Sequence, residues 1–294
     1  MPSSPHPVTA SAAGTVSLGK LTVNRLGYGA MRITGKGIWG PPADHDAAIA
    51  TLRRAVELGV NFIDTADSYG PNVSEELIAE ALHPYPADLV IATKGGWQRV
   101  GPAQWIHNAS PNHLREAVDG SLKRLRLDRL PVYQLHIPDP AVSFDASMEC
   151  LADLRSKGKI QYVALSNVTL EHLERARKIV PIVSVQNRYS FADREWDYLL
   201  DHCERLGVAF IPWAPLGQNR QANDLLIRIA GEIGATPMQV GLAWLLSRSR
   251  MMLPIPGTSS VEHIEENVAS ASLKLPDNLF EELSCFEAPP AVLR

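Results

Sequence analysis

The chain has 294 residues, 45% of them hydrophobic, and a formal net charge of −4 at pH 7. That charge excludes a broad basic face for nucleic acid, and the one short cationic run, Lys123 to Arg129, reads as a solvated helix end. No apolar stretch reaches the roughly 20 residues of a membrane span or forms a signal peptide. The three cysteines, Cys150, Cys203 and Cys285, are widely spaced and lack a Cys-x-x-Cys pair, so zinc and disulfide frameworks give way to a reducing compartment, the cytoplasm.

In chain order, residues 1–14 are rich in Ser, Pro and Ala and read as a flexible tail, leaving 15–294 as one domain. Val16 to Leu26 reads as a hairpin turning at Gly19-Lys20, placed to cap one end of the fold. Apolar strand-like runs then alternate with amphipathic helical runs. The predicted strands are Arg25 to Gly29, Asn61 to Asp64, Leu89 to Lys94, Val132 to His136, Tyr162 to Ser166, Val183 to Asn187, Ala209 to Trp213 and Met252 to Pro256. Helices between them end in glycine, as at Asp44 to Leu58 before Gly59, Ser147 to Lys157 before Gly158, and Asp193 to Leu206 before Gly207. Asp277 to Cys285 forms one extra C-terminal helix. Eight strand–helix pairs predict an α/β fold of the (β/α)8 TIM-barrel class. A doubly wound sheet is disfavoured because Gly27-Tyr28-Gly29-Ala30-Met31 does not make the Gly-x-Gly-x-x-Gly fingerprint.

In a barrel, chemistry gathers at the C-terminal ends of strands. Asp64, Lys94 and His136 close the second, third and fourth predicted strands. Two buried charges on adjacent strands are costly unless paired, so Asp64 is expected to neutralise Lys94. Tyr69 lies on the loop leaving the second strand and reaches back over the mouth beside Lys94. A cation there favours the tyrosinate and makes the phenol a competent acid, while His136 orients a carbonyl. The four together suit reduction of a carbonyl without metal.

Phe62-Ile-Asp-Thr-Ala-Asp-Ser-Tyr-Gly70 resembles the signature of the aldo-keto reductase family, and Lys94 and His136 fall at the other two positions of its catalytic tetrad. The resemblance covers the chain from about Ser17 onward. It implies reversible, NADPH-dependent reduction of an aldehyde or ketone, with hydride from nicotinamide C4 and the proton from Tyr69. It also implies a cofactor extended over the barrel mouth: Gly29, Ala30 and Met31 border it with Asp64; Ser166, Asn167 and Gln186 hold the carboxamide; Trp213 stacks on the nicotinamide ring. Ala214, Pro215, Leu216 and Gly217 then cross the pyrophosphate. Ile255, Gly257, Thr258, Ser259, Ser260 and His263 receive the adenosine phosphate, with Glu266 and Asn267 at the adenine. This last motif departs from the family pattern in lacking Lys or Arg, and Arg220 is the cation expected to supply that charge. Met31, Trp39, Trp97, Tyr69 and His136 are expected to line a pocket for a cyclic or aromatic carbonyl, in a monomer or weak homo-oligomer with no nucleic-acid or membrane partner.

Singly, each residue has an ordinary structural reading: an Asp ending a strand caps a turn, and a lone core His is usually hydrogen-bonded. The conjunction at four spaced positions carries the assignment. A zinc hydrolase using His136 with Asp64 and Asp67, aided by His107 and His113, lacks ligand spacing and would set Lys94 against the metal. A cofactor-binding sensor barrel with little turnover is the alternative from another functional class, and the intact tetrad weighs against it.

Overall fold

The computed structural model describes residues 8–215 and 220–286. A hairpin, β1 (Thr15–Leu18) and β2 (Leu21–Asn24), precedes the short strand β3 (Tyr28–Gly29). Then come α1 (His45–Glu57), β4 (Phe62–Asp64), α2 (Val73–Leu82), β5 (Val90–Gly95), a second hairpin β6 (Trp97–Gly101) and β7 (Gln104–His107), and α3 (Pro111–Leu125). The series continues with β8 (Leu130–Leu135), α4 (Phe144–Ser156), β9 (Ile160–Ser166), α5 (Leu170–Ile179), β10 (Ile182–Arg188), α6 (Asp197–Leu206) and β11 (Ala209–Trp213). Helices α7 (Arg220–Ile233), α8 (Pro237–Arg248), α9 (Val261–Ala269) and α10 (Asp277–Ser284) complete it.

Seven strands form one parallel sheet in the order β3-β4-β5-β8-β9-β10-β11. The eighth position belongs to residues 252–256, which bond to both sheet edges without forming a regular ladder. Leu253 N–H donates to Phe210 (2.9 Å), while Gly27 N–H donates to the Pro254 carbonyl (2.9 Å) and Gly29 N–H to that of Pro256 (3.5 Å). The reason is in the sequence: Pro254 and Pro256 have no N–H to give a ladder. The same irregularity shortens the predicted first strand, Arg25 to Gly29, to two residues.

The apolar residues sort into two layers. Phe62, Val90, Ala92, Val132, Ala164, Val183, Ala209, Ile211, Leu253 and Ile255 fill the barrel interior, and Val16, Leu18 and Val23 of the first hairpin join them as a plug. The second cluster lies between sheet and helices, with Trp244 fully buried in α8. Helix starts follow local chemistry: Asp44 accepts from Ala47 N–H at 2.9 Å to cap α1, and Thr236 and Gln239 form a capping box ahead of Pro237 in α8.

Four expectations need correction. Residues 8–14 are not a free tail, because Ala10–Ala13 forms a helical turn whose first residue is fully buried and bonds to Leu58 (2.9 Å). Helix α4 begins three residues before Ser147, at Phe144, whose ring is buried. Helix α6 begins at Asp197 rather than Asp193, which instead pairs with Arg188 at 2.8 Å and closes a turn with Ser190. The cationic run is not wholly solvated either: Arg124 turns inward to the buried carboxylate of Glu75 at 2.6 Å.

Candidate active site

Strand register brings the site together. Asp64 ends β4, Lys94 lies one residue before the end of β5, and His136 follows β8 with its N–H on the Gly95 carbonyl (2.9 Å). The loop after β4 is fastened to β5 by Thr65 N–H on Ala92 (2.8 Å) and Asp67 N–H on Lys94 (3.2 Å). Its turn passes through Gly70 at φ +99°, a conformation that favours glycine, and this folds Tyr69 back over the strand ends.

Lys94 is wholly buried, and its ammonium donates to Asp64 Oδ1, to the Thr65 carbonyl (2.9 Å) and to the Tyr69 hydroxyl (3.4 Å). The second oxygen of Asp64 accepts from the side-chain amides of Gln134 (2.7 Å) and Gln186 (2.8 Å). Both carboxylate oxygens thus accept hydrogen bonds, as a buried ion pair requires. Gln134 is a site residue that the sequence hardly marks; its one signal is its place two residues before His136, on the same side of β8. Gln186, expected at the carboxamide, donates to Asp64 in this structure.

The electrostatics follow from burial and pairing. Burial works against the Lys94 charge, but the Asp64 carboxylate and the Tyr69 oxygen more than offset it and hold the ammonium above its usual range. For Tyr69 burial is the largest influence and raises the hydroxyl, outweighing the nearby ammonium. The expectation of a phenol made acidic at rest is therefore corrected: at neutral pH Tyr69 holds its proton, and Lys94 lies where it stabilises the phenolate left after proton loss. Burial, then Lys94, pushes His136 well below the normal histidine range, so its imidazole is neutral. Ser68 Oγ lies 3.5 Å from His136 Nδ1, and the Tyr69 and His136 rings meet edge to face at 5.9 Å.

Of the remaining expected residues, Trp97 borders this centre through His136, and Asn167 donates to the His136 carbonyl (3.0 Å). The rings of Trp97 and Trp105 stand roughly perpendicular to that of His136 at 6.4 and 6.5 Å, and Trp97 packs on His107 at 4.4 Å. Trp39 pairs through its backbone with Gly70, and its ring lies 5.6 Å from the Arg99 guanidinium. Ala30 and Met31 form a helical turn after Gly29, with Met31 half-buried. Ser166 is buried, Asn167 stands at φ +55°, and the Trp213 indole donates to Asn167 Oδ1 (3.2 Å) while remaining 37% exposed. Ala214 and Pro215 follow; Leu216 and Gly217 lie outside the described residues, as does the side chain of Arg220. Gly257 meets Gly29 so closely that an added Cβ would lie 2.7 Å from the Gly29 carbonyl oxygen. Ser260 caps α9 by accepting from His263 N–H (3.3 Å), Thr258 accepts from Ser260 N–H (3.0 Å), and Glu266 accepts from Thr236. Asn267 is buried on α9.

A barrel with an Asp, a Lys, a Tyr and a His converging at its mouth defines an oxidoreductase of the (β/α)8 class. Comparison with known proteins agrees. The family model described as the aldo/keto reductase family matches residues 25–287. An uncharacterized oxidoreductase of Schizosaccharomyces pombe is 46% identical over 278 residues, covering 94% of this chain and 90% of its own. Pyridoxine 4-dehydrogenase of Escherichia coli is 45% identical, covering 92% and 98%. Among solved structures, an aldo-keto reductase of Klebsiella pneumoniae in complex with NADPH superposes with a TM-score of 0.78 at 27% identity, covering 94% and 96%. The chain belongs to the aldo/keto reductase family.

Proposed function

We propose that this enzyme reduces a ring-bearing aldehyde or ketone, of the pyridoxal type, to its alcohol with NADPH, and that Tyr69 delivers the proton. The observation that carries the reading is the Tyr69 hydroxyl 3.4 Å from a buried ammonium that Asp64 neutralises. The residues present fit a dinucleotide: a half-exposed indole closes an otherwise apolar strand at the mouth, and two glycine backbones, Gly29 and Gly257, approach where any side chain would intrude. NADPH in the Klebsiella relative supports the choice of cofactor. When bound, the reduced nicotinamide supplies hydride to the carbonyl carbon.

The chain's own residues do the rest. His136, neutral, donates a hydrogen bond that orients the carbonyl oxygen toward Tyr69. Tyr69 gives up its proton as negative charge develops on that oxygen, and Lys94 stabilises the phenolate through a contact already in place. Asp64, Gln134 and Gln186 keep the ammonium aimed at the phenol. Trp97, Trp105 and His107 offer π surfaces for an aromatic guest, in keeping with the substrate named for the Escherichia coli relative. Cysteines that are all free support a cytoplasmic setting.

The test is Tyr69→Phe. Turnover of pyridoxal and of simple aromatic aldehydes should fall by about 10²–10⁴-fold, with NADPH affinity unchanged within roughly threefold. Equal loss of both, or turnover that survives, sinks the assignment. NADPH that binds the wild type but is oxidised by no carbonyl across a broad panel would instead favour the sensor.

A further inference from the structure

The motif expected to meet the adenosine phosphate is short of charge and also short of free hydroxyls. Thr258 Oγ1 accepts from Ser260 N–H (3.0 Å) and touches His263 Nδ1 (3.4 Å), and Ser260 Oγ is committed to capping α9. Both serve the turn. Ser259 alone among these hydroxyls makes no side-chain hydrogen bond within the described residues. Gly257 has no side chain, and Arg32 packs beside it from across the seam: a Cβ at 257 would lie 3.4 Å from Arg32 Cγ.

Arg32 arrives there because the turn after β3 starts at Gly29, the residue in backbone contact with Gly257. Between this turn, the start of α1 and Ser259 lies a cavity of about 270 Å³ lined by Arg32, Thr34, Lys36, Asp44, Ala47 and Ser259. Arg32 and Lys36 are both exposed, and among the described residues neither side chain enters an ion pair or a hydrogen bond. Two long cations lining one cavity would ordinarily find carboxylates in a chain with 32 acidic residues. The one carboxylate in the lining, Asp44, accepts from Ala47 N–H at 2.9 Å through Oδ1 to cap α1 and, among the described residues, pairs with neither cation. The lining therefore offers two unpartnered cations and a free hydroxyl, the donor set a phosphate dianion takes.

We propose that Arg32 and Lys36, with Ser259, grip the 2′-phosphate of NADPH, so that discrimination against NADH comes from the loop after the first barrel strand. This rests on the cofactor reading above and goes beyond it, because the expected cation was Arg220.

The test is equilibrium binding, read by quenching of protein fluorescence with NADPH and with NADH, for the wild type and for Arg32→Ala, Lys36→Ala, the double variant and Arg220→Ala. Each single variant at 32 or 36 should weaken NADPH by on the order of 10-fold and the double by about 100-fold, with NADH unchanged within threefold. The NADPH affinity of the wild type should fall with added salt, since the contacts are exposed. Ser259→Ala should cost NADPH a smaller factor of the same sign. Three results overturn the inference while leaving the reductase reading standing: wild-type protein that binds the two cofactors equally, variants that lose both in parallel, or discrimination that vanishes in Arg220→Ala and survives in the other variants. Wild-type protein that binds neither cofactor overturns the reading beneath it as well.

Discussion

Asp67 stands three residues past Asp64 on one short loop, and the two carboxyl groups meet opposite fates. Asp64 is saturated by an ammonium and two amides, whereas Asp67 is buried with Oδ1 lacking any partner. Burial first, then the nearby charge of Glu75, pushes Asp67 up to about 8. In the folded state it keeps its proton to about pH 8, while in the unfolded chain it ionises near 4, so between those values the fold binds the extra proton and loses stability as pH rises. Asp67→Asn should then raise the urea midpoint at pH 7 by an amount worth about 1–3 kcal/mol, with the gain shrinking to nothing near pH 4. A loss at pH 7, or a gain indifferent to pH, would count against this account. Asp64, Lys94 and His136 were legible because each ends an apolar run where an ionisable group is out of place, and Tyr69 because of the motif it shares with Asp64. Gln134 was not, since an uncharged amide on a buried strand announces nothing until its partner is known. The resting acidity of Tyr69 was misjudged for the same reason: sequence shows which charge is near but not how completely water is excluded.

At the scale of elements, the hairpin of β6 and β7 turns the loop after β5 into a wall. Arg99 holds it, donating to carbonyls of Gly37, Ile38, Ser68, Gly101 and Gln104, and lies 3.8 Å from the centre of the Trp105 ring. One side chain thus joins the loop after β3, the Tyr69 loop and the hairpin, and fixes Trp105 against His136. Trp105→Ala should raise KM for an aromatic aldehyde by about 10-fold while changing NADPH affinity little, because the ring contacts of Trp105 within the described residues, with Trp97, His136 and Arg99, include none of the residues expected at the cofactor. An unchanged KM would remove Trp105 from the pocket. The hairpin escaped sequence reading because Trp97-Gln-Arg-Val-Gly101 and Gln104-Trp-Ile-His107 are too short to display a period, although Gly101-Pro102 is a fair turn signal. Helix starts were misplaced by three or four residues at α4 and α6, where a buried Phe144 extends one helix and an Arg188–Asp193 pair delays the other.

The whole molecule depends on how its eighth position is closed. Pro254 and Pro256 forfeit ladder bonds, so the seam between first and last segments relies on a few carbonyl contacts and on the approach of Gly29 to Gly257. Gly257→Ala would set a methyl 2.7 Å from a backbone oxygen that cannot step aside. Thermal denaturation should show a fall on the order of 5 °C, with weaker NADPH binding alongside it. The barrel class was readable from eight alternating runs, but this seam was not, because period says nothing about which strand lacks donors. The opposite end has a consequence of its own. With Val16, Leu18 and Val23 stopping the floor and the inner oxygen of Asp64 occupied by two amides, the barrel is a cul-de-sac. On the assignment proposed for Tyr69, the groups hydrogen-bonded behind it among the described residues, Lys94, Asp64, Gln134 and Gln186, are all buried, so the proton it spends returns from the mouth. Recharging the acid must use the same doorway through which the alcohol leaves, which ties the readiness of the next cycle to product departure.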